Sequence, residues 1–215
     1  MAGKKPGDMT KKGMLPAGAK KPAPAGTVFQ FKITLLGVKP PIWRRIQVVD
    51  CTLDELHENI QNSMGWTNSH LHRFQAGEES YADPMLMEED MEEFDYQDST
   101  TTMLSAIVPK DGKRFVLHYE YDFGDSWEHE IVFEGHPEGG GPYPLCLEGK
   151  RACPPEDCGG VSGYADFLLA IGNKKHAQHA EMLEWIGGSF DPEEFDPAVA
   201  TKRMKMGLPD WRSMI

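Results

Sequence analysis

Tyr121-Asp122-Phe123-Gly124-Asp125-Ser126-Trp127-Glu128-His129 is the stretch that decides the fold. Before it, Phe115, Leu117, Tyr119 and Tyr121 alternate with Val116, His118, Glu120 and Asp122. After it, Trp127, His129, Ile131 and Phe133 alternate with Glu128, Glu130, Val132 and Glu134. A two-residue period belongs to strands that bury one face. Between the two runs, Phe123–Ser126 supplies the glycine and aspartate of a turn. The stretch therefore predicts a β-hairpin over Arg114–Glu134.

On the N-terminal side, Val28–Val38 predicts a strand with Phe29, Phe31, Ile33 and Leu35 on one face. Lys39-Pro40-Pro41 interrupts it, because proline gives the ladder no donor, and Ile42–Val49 resumes as a second strand. Thr52 and Glu55 have the spacing of a capping box. The helix they open places Leu53, Leu56, Ile60 and Met64 on one stripe and ends near Gly65. His70–Gln75 predicts a short strand with His70 and His72 as ordinary strand residues. Between Glu78 and Asp98, ten of 21 residues are acidic, which predicts a solvated insertion or weak helix.

On the C-terminal side, Pro137–Pro144 predicts a loop. Helices are expected from just after Ser162 through Ile171, over Lys174–Ile186 with Ala177, Ala180, Met182, Leu183 and Trp185 among its buried residues, and, peripherally, over Pro197–Met206. Strands, a helix, a hairpin and then helices indicate α+β, with a mixed or antiparallel sheet. The expected organisation is a disordered basic tail over 1–27, one domain over 28–195 and a helical extension over 196–215.

The formal charge of the 215-residue chain is −12. Met1–Ala25 holds six lysines and one acid, a balance of +5, so the remainder stands at −17. A body this acidic repels a phosphate backbone, which argues against general nucleic-acid binding by the folded part. The lysine-rich tail reads as solubilising, with a nucleic-acid arm as the alternative. Apolar runs such as Phe167–Ile171 are too short to span a bilayer, and no apolar stretch follows the early lysines, so a cytoplasmic protein without membrane contact is expected. In that compartment Cys51, Cys146, Cys153 and Cys158 are expected as thiols or ligands rather than disulfides.

Two motifs offer chemistry. The hairpin turn gathers Asp122 and Asp125, with His129 beyond it, a set that suits a hard cation or acid–base work as well as a plain turn. Asp122-Phe123-Gly124 also spells the kinase magnesium triplet, but no glycine-rich or catalytic loop lies upstream. The second motif is Cys153-Pro154-Pro155-Glu156-Asp157-Cys158-Gly159-Gly160. Its prolines stiffen a loop that either presents Glu156 and Asp157 to a ligand or forms a structural corner, with Asp157 capping the following helix. Cys146, Cys153 and Cys158, with His129 or His136 as a fourth ligand, raise structural zinc, although C-x6-C-x4-C lacks the paired spacing of a knuckle. His176, His179 and Glu181 read as a solvated face. Trp43-Arg44-Arg45 either grips an anion or nucleic acid or lies on a half-exposed strand with snorkelling arginines. The common nucleotide, zinc-protease and serine-hydrolase motifs are missing.

Taken in order, Ile42-Trp43-Arg44-Arg45-Ile46, Leu53–Trp66 with His70–Phe74, Tyr121–His129 and Cys153–Gly160 with Gly163-Tyr164 resemble the plasmid pRiA4b ORF-3-like family over about Val28 to Phe195. The resemblance implies a single compact α/β-roll-like domain and no established activity. It also implies association with plasmids and insertion sequences, where some members carry a resolvase-like label. Residues here give that label no nucleophile or arginine cluster.

Three functions are thus expected to compete. The first is a binding or interaction module. The second is a metal-dependent, hydrolase-type enzyme using Asp122, Asp125, His129, Glu156 and Asp157 around a divalent ion. The third is a mobile-element accessory protein that contacts nucleic acid through the tail and Trp43–Arg45.

Overall fold

Alternating apolar residues account for most of the sheet. The computed structural model of the chain describes residues 26–84, 95–110, 113–138 and 141–208. Strands β1 (Val28–Leu35) and β2 (Trp43–Val49) pair antiparallel around the Pro40-Pro41 turn. The predicted hairpin is β6 (Val116–Tyr121) and β7 (Trp127–Gly135), with Tyr119 opposite His129 and Tyr121 opposite Trp127. Strands β3 (His72–Ala76), β4 (Glu79–Ala82), β5 (Tyr96–Asp98) and β8 (Leu145–Lys150) complete one eight-stranded sheet in the order β5-β4-β3-β6-β7-β1-β2-β8. Only the β4–β5 pair is parallel, so the sheet is mixed.

One sheet face is the core. Phe29, Phe31, Ile33, Leu35, Ile46, Phe74, Leu117, Tyr119, Tyr121, Trp127 and Ile131 are buried there in one cluster. Helix α1 (Leu53–Met64) packs into that cluster with the predicted stripe of Leu53, Leu56, Ile60 and Met64. Its capping box is formed: Glu55 N–H donates to Thr52 Oγ1, and Thr52 N–H donates to the Glu55 carboxylate. Gly65 ends it with a left-handed φ of 108°. The remaining helices among the described residues are α2 (Leu104–Ile107), α3 (Gly160–Gly172), α4 (His179–Trp185) and α5 (Pro197–Met206). No helix among the described residues is long and apolar enough to cross a membrane.

Several expectations change. The acidic segment is not simply an insertion or helix: its two ends, Glu79–Ala82 and Tyr96–Asp98, pair as strands because Tyr81, Ala82 and Tyr96 are buried. Met85, Met87 and Met91 lie outside the described residues, as does the tail up to Ala25. Helix α4 is shorter than predicted and buries none of its residues; Ala177 and Ala180 are exposed. The last helix is seated rather than peripheral, since α5 packs on α1 and β8 and buries Ala200 and Met204. Strand β8 begins directly after Pro144, and Thr201 Oγ1 accepts from its Cys146 amide.

Candidate functional site

The hairpin tip is built by Asp122. Its φ is 56°, and Oδ1 accepts the amides of Gly124 at 3.0 Å and Asp125 at 3.3 Å. This side-chain-to-backbone closure is the usual role of Asp in a turn. It occupies one carboxylate oxygen and leaves Oδ2 directed elsewhere. Asp125 then reaches the second motif: its Oδ2 accepts the Gly159 amide at 3.0 Å, at the start of α3. Gly160 lies so close that an added Cβ would stand 2.5 Å from the Asp125 carbonyl oxygen, and its φ is 66°. Two glycines at this point let the Pro-Pro-Glu-Asp loop lie directly on the hairpin tip. Asp157 does not cap the helix; Gly159 occupies the N-cap position.

Glu156 binds a third segment. It accepts the Thr67 amide at 2.8 Å and the Thr67 hydroxyl at 3.1 Å. Tyr121 Oη donates to it at 3.1 Å and itself accepts the Ser69 amide at 2.9 Å. Burial and the adjacent Glu156 charge push the Tyr121 hydroxyl well above its ordinary range, so it stays a donor. Trp66 Nε1 donates to the Pro154 carbonyl, and the Asn68 amide donates to Gln61 Oε1. Residues 66–70 are therefore held by α1, β6 and the Pro-Pro loop together.

These constraints bring His70 between the two motifs. Its Nε2 stands 3.0 Å from Asp157 Oδ1 and 3.6 Å from Asp122 Oδ2. The three ligand atoms all lie within 4.8 Å of one another, the one such group among the described residues. Asp122 is almost fully enclosed, with 9% of its side chain exposed, against 28% for His70 and 70% for Asp157. Nε2 is itself shielded from solvent, and the carboxylates that approach it lie outside hydrogen-bond alignment. Nothing local to His70 signals this position. It was expected in β3, but that strand begins at His72, and the residue precedes it in the loop.

The other expected site residues lie elsewhere. Asp125 and Glu156 are engaged with backbone amides as described. His129 is fully buried among Trp66, Tyr119 and the sheet, and burial pulls its imidazole down to about 4. It is a neutral core ring. Cys146, Cys153 and Cys158 are free thiols that do not gather around a common point. Burial pushes Cys146 up to about 11, Cys158 up to about 12 and Cys153 higher still. His136 Nδ1 is paired with the Val28 carbonyl. Among the described residues these thiols form no group of converging ligand atoms with one another or with His129 or His136.

Trp43-Arg44-Arg45 is likewise internal in purpose. Arg44 is 1% exposed and inward-facing on β2. Its guanidinium donates to the carbonyls of Ser63, Trp43, Lys150 and Arg151 and stacks on Phe195 at 3.9 Å. Arg45 lies on the outer face and pairs with Glu134 and Glu148. Neither guanidinium is left for an anion. His179 Nδ1 is paired with the Ala170 carbonyl, which ties α4 to α3.

Residues 27–199 match the family model described as plasmid pRiA4b ORF-3-like protein. The uncharacterized protein y4hQ of Sinorhizobium fredii is 39% identical over 176 residues, which covers 81% of this chain and 86% of that protein. The crystal structure of MM3350 from Methanosarcina mazei Go1, a protein of unknown function, superposes with a TM-score of 0.70 at 34% identity and covers 80% of this chain and 96% of that one.

Proposed function

Because this chain belongs to the plasmid pRiA4b ORF-3-like family, in which the matched relatives bring no assigned activity, we propose from the geometry that it is a binding module built around a divalent cation. The ligands are His70 Nε2, Asp122 Oδ2 and Asp157 Oδ1. Their convergence within 4.8 Å, from three separate segments, carries the reading. Two donors each ~2.1 Å from one ion stand about 3.0–3.4 Å apart at octahedral to tetrahedral angles. The two His70–carboxylate separations, 3.0 and 3.6 Å, bracket that range. One imidazole with two carboxylates suits Zn2+ or Mn2+ better than calcium, which takes oxygen ligands alone. The Gly124 and Asp125 amides on Asp122 Oδ1 would orient that ligand, as outer hydrogen bonds do in metal sites.

A binding role is favoured over a hydrolytic one. Hydrolysis calls for a base beside the ion, and Asp125 and Glu156 already accept amides while His129 is enclosed in the core. Four free thiols suit a reducing compartment, and on that basis we place the protein in the cytoplasm. Any nucleic-acid contact we assign to the lysines of the tail. Deleting residues 1–27 then abolishes salt-sensitive DNA binding, and unchanged binding would remove this role.

The cation reading is tested on protein stripped with EDTA and titrated with Mn2+, followed by electron paramagnetic resonance. One ion per chain is expected, with affinity weakened at least ~10-fold, and up to ~100-fold, in His70→Ala and in Asp122→Asn. Binding below one ion per chain, or equal affinity in His70→Ala, overturns it.

A further inference from the structure

Beside the triad, on the far side of Asp157, helices α3 and α4 enclose a cleft of about 350 Å3. We propose that this cleft binds a small organic ammonium ion, with Asp166 as its principal counter-charge and Trp185 and Phe167 as its aromatic wall. The inference rests on the shape and charge of the cleft and not on the cation reading.

Three observations support it. The volume lies at the small end of the roughly 300–1,000 Å3 of ligand pockets, which suits a compact molecule. The charged residues of the lining are Asp157 and Asp166, both carboxylates, and no Lys, Arg or His belongs to it. A negative cleft in a body of net −17 attracts cations and repels anions. The rest of the wall is aromatic and apolar, with Phe167, Met182 and Trp185 prominent. Trp185 is 47% exposed although it is the largest apolar side chain of α4, and it meets Phe167 edge-on at 5.6 Å. A half-open indole next to carboxylates can stack on an alkylammonium group, which is attracted to the ring face and paired by the acid. A bare metal ion fits less well. Asp166 does not join the ligand group of His70, Asp122 and Asp157, and an inorganic ion would make no use of the aromatic wall.

Asp157 belongs to both places: Oδ1 faces His70, and the residue lines the cleft. A metal ion at the triad would lower the negative charge the cleft sees, so the decisive titration is done on the full chain in EDTA. The probe is phenethylammonium, compared with the neutral phenethyl alcohol and the anionic 3-phenylpropionate by calorimetry. Saturable binding of the ammonium is expected, about tenfold or more tighter than the alcohol, with no binding of the propionate. Asp166→Asn and Trp185→Ala, both at exposed positions, should each weaken it about fivefold or more. Equal affinity for the alcohol would mean an apolar cleft only and overturns the proposal. So does an ammonium affinity unchanged in both variants, or no saturation at millimolar probe. Ammonium binding in EDTA stands whether or not Mn2+ binds at the triad, so the two readings fail separately.

Discussion

The Tyr121 hydroxyl donates to the Glu156 carboxylate at 3.1 Å, joining the end of the hairpin's first strand to the Pro-Pro-Glu-Asp loop. The same oxygen accepts the Ser69 amide, so one atom registers three segments. Tyr121→Phe removes it without disturbing the ring. The Ser69 amide then loses its partner and Glu156 keeps only Thr67. A loss of ~1–2 kcal/mol is expected in urea unfolding. Cation affinity should fall as well, because His70 follows Ser69.

Gly160 meets the hairpin tip with its backbone. A Cβ there faces the Asp125 carbonyl at 2.5 Å and a φ of 66°. Gly160→Ala should destabilise by ~2 kcal/mol or more. Gly172→Ala, where a Cβ meets nothing within 4 Å, should be neutral or slightly stabilising. Paired thermal melts separate the two.

Arg44 is a buried cation held by carbonyls on several sides. Its planar five-donor fork matches that arrangement, whereas a lysine has one compact head. Arg44→Lys should therefore lose at least ~3 kcal/mol by denaturant titration, since carbonyls of Ser63, Lys150 or Arg151 are left unsatisfied. Retention of wild-type stability would show that the fork is dispensable.

His129 links folding to acidity. Its folded pKa is lowered to about 4 by burial, against an unfolded value of ~6.5. The folded state thus favours the neutral ring. Its stabilising contribution is complete above pH ~6.5 and is lost as pH falls toward 4, by up to about 3 kcal/mol. Chemical denaturation between pH 7 and 4 should show a shallower decline in His129→Leu than in wild type. Parallel declines would mean that the buried imidazole does not drive it.

Metal and proton should compete for the same Nε2 lone pair of His70. Mn2+ affinity is therefore expected to fall on acidification in wild type. Titrations at two pH values measure it, and a pH-independent affinity would place the ion on carboxylates alone.

Much of the fold was legible in the chain itself. The β1, β6 and β7 faces, the capping box at Thr52 and the glycine stop of α1 follow from period and local chemistry, which act over a few residues. The edges were less legible. Strands β4 and β5 hid in an acidic segment because charge dominates the composition while Tyr81 and Tyr96 supply the burial. Arg44 read as a surface cation because nothing local says that four carbonyls surround it. In α4, apolar residues at helical spacing suggested a buried face, yet Trp185 lies on a cleft.

The α+β class, the hairpin, the polar tip with Asp122 and the stiff loop with Asp157 can all be read from the residues, because turn chemistry and side-chain period are local. Which of these groups meet depends on the folded chain. His70 lies 52 positions before Asp122 and 87 before Asp157, and no local rule links such distances. Their approach results from Asp125 holding Gly159, Glu156 holding Thr67 and Tyr121 holding Ser69, each a hydrogen bond that folding alone can form.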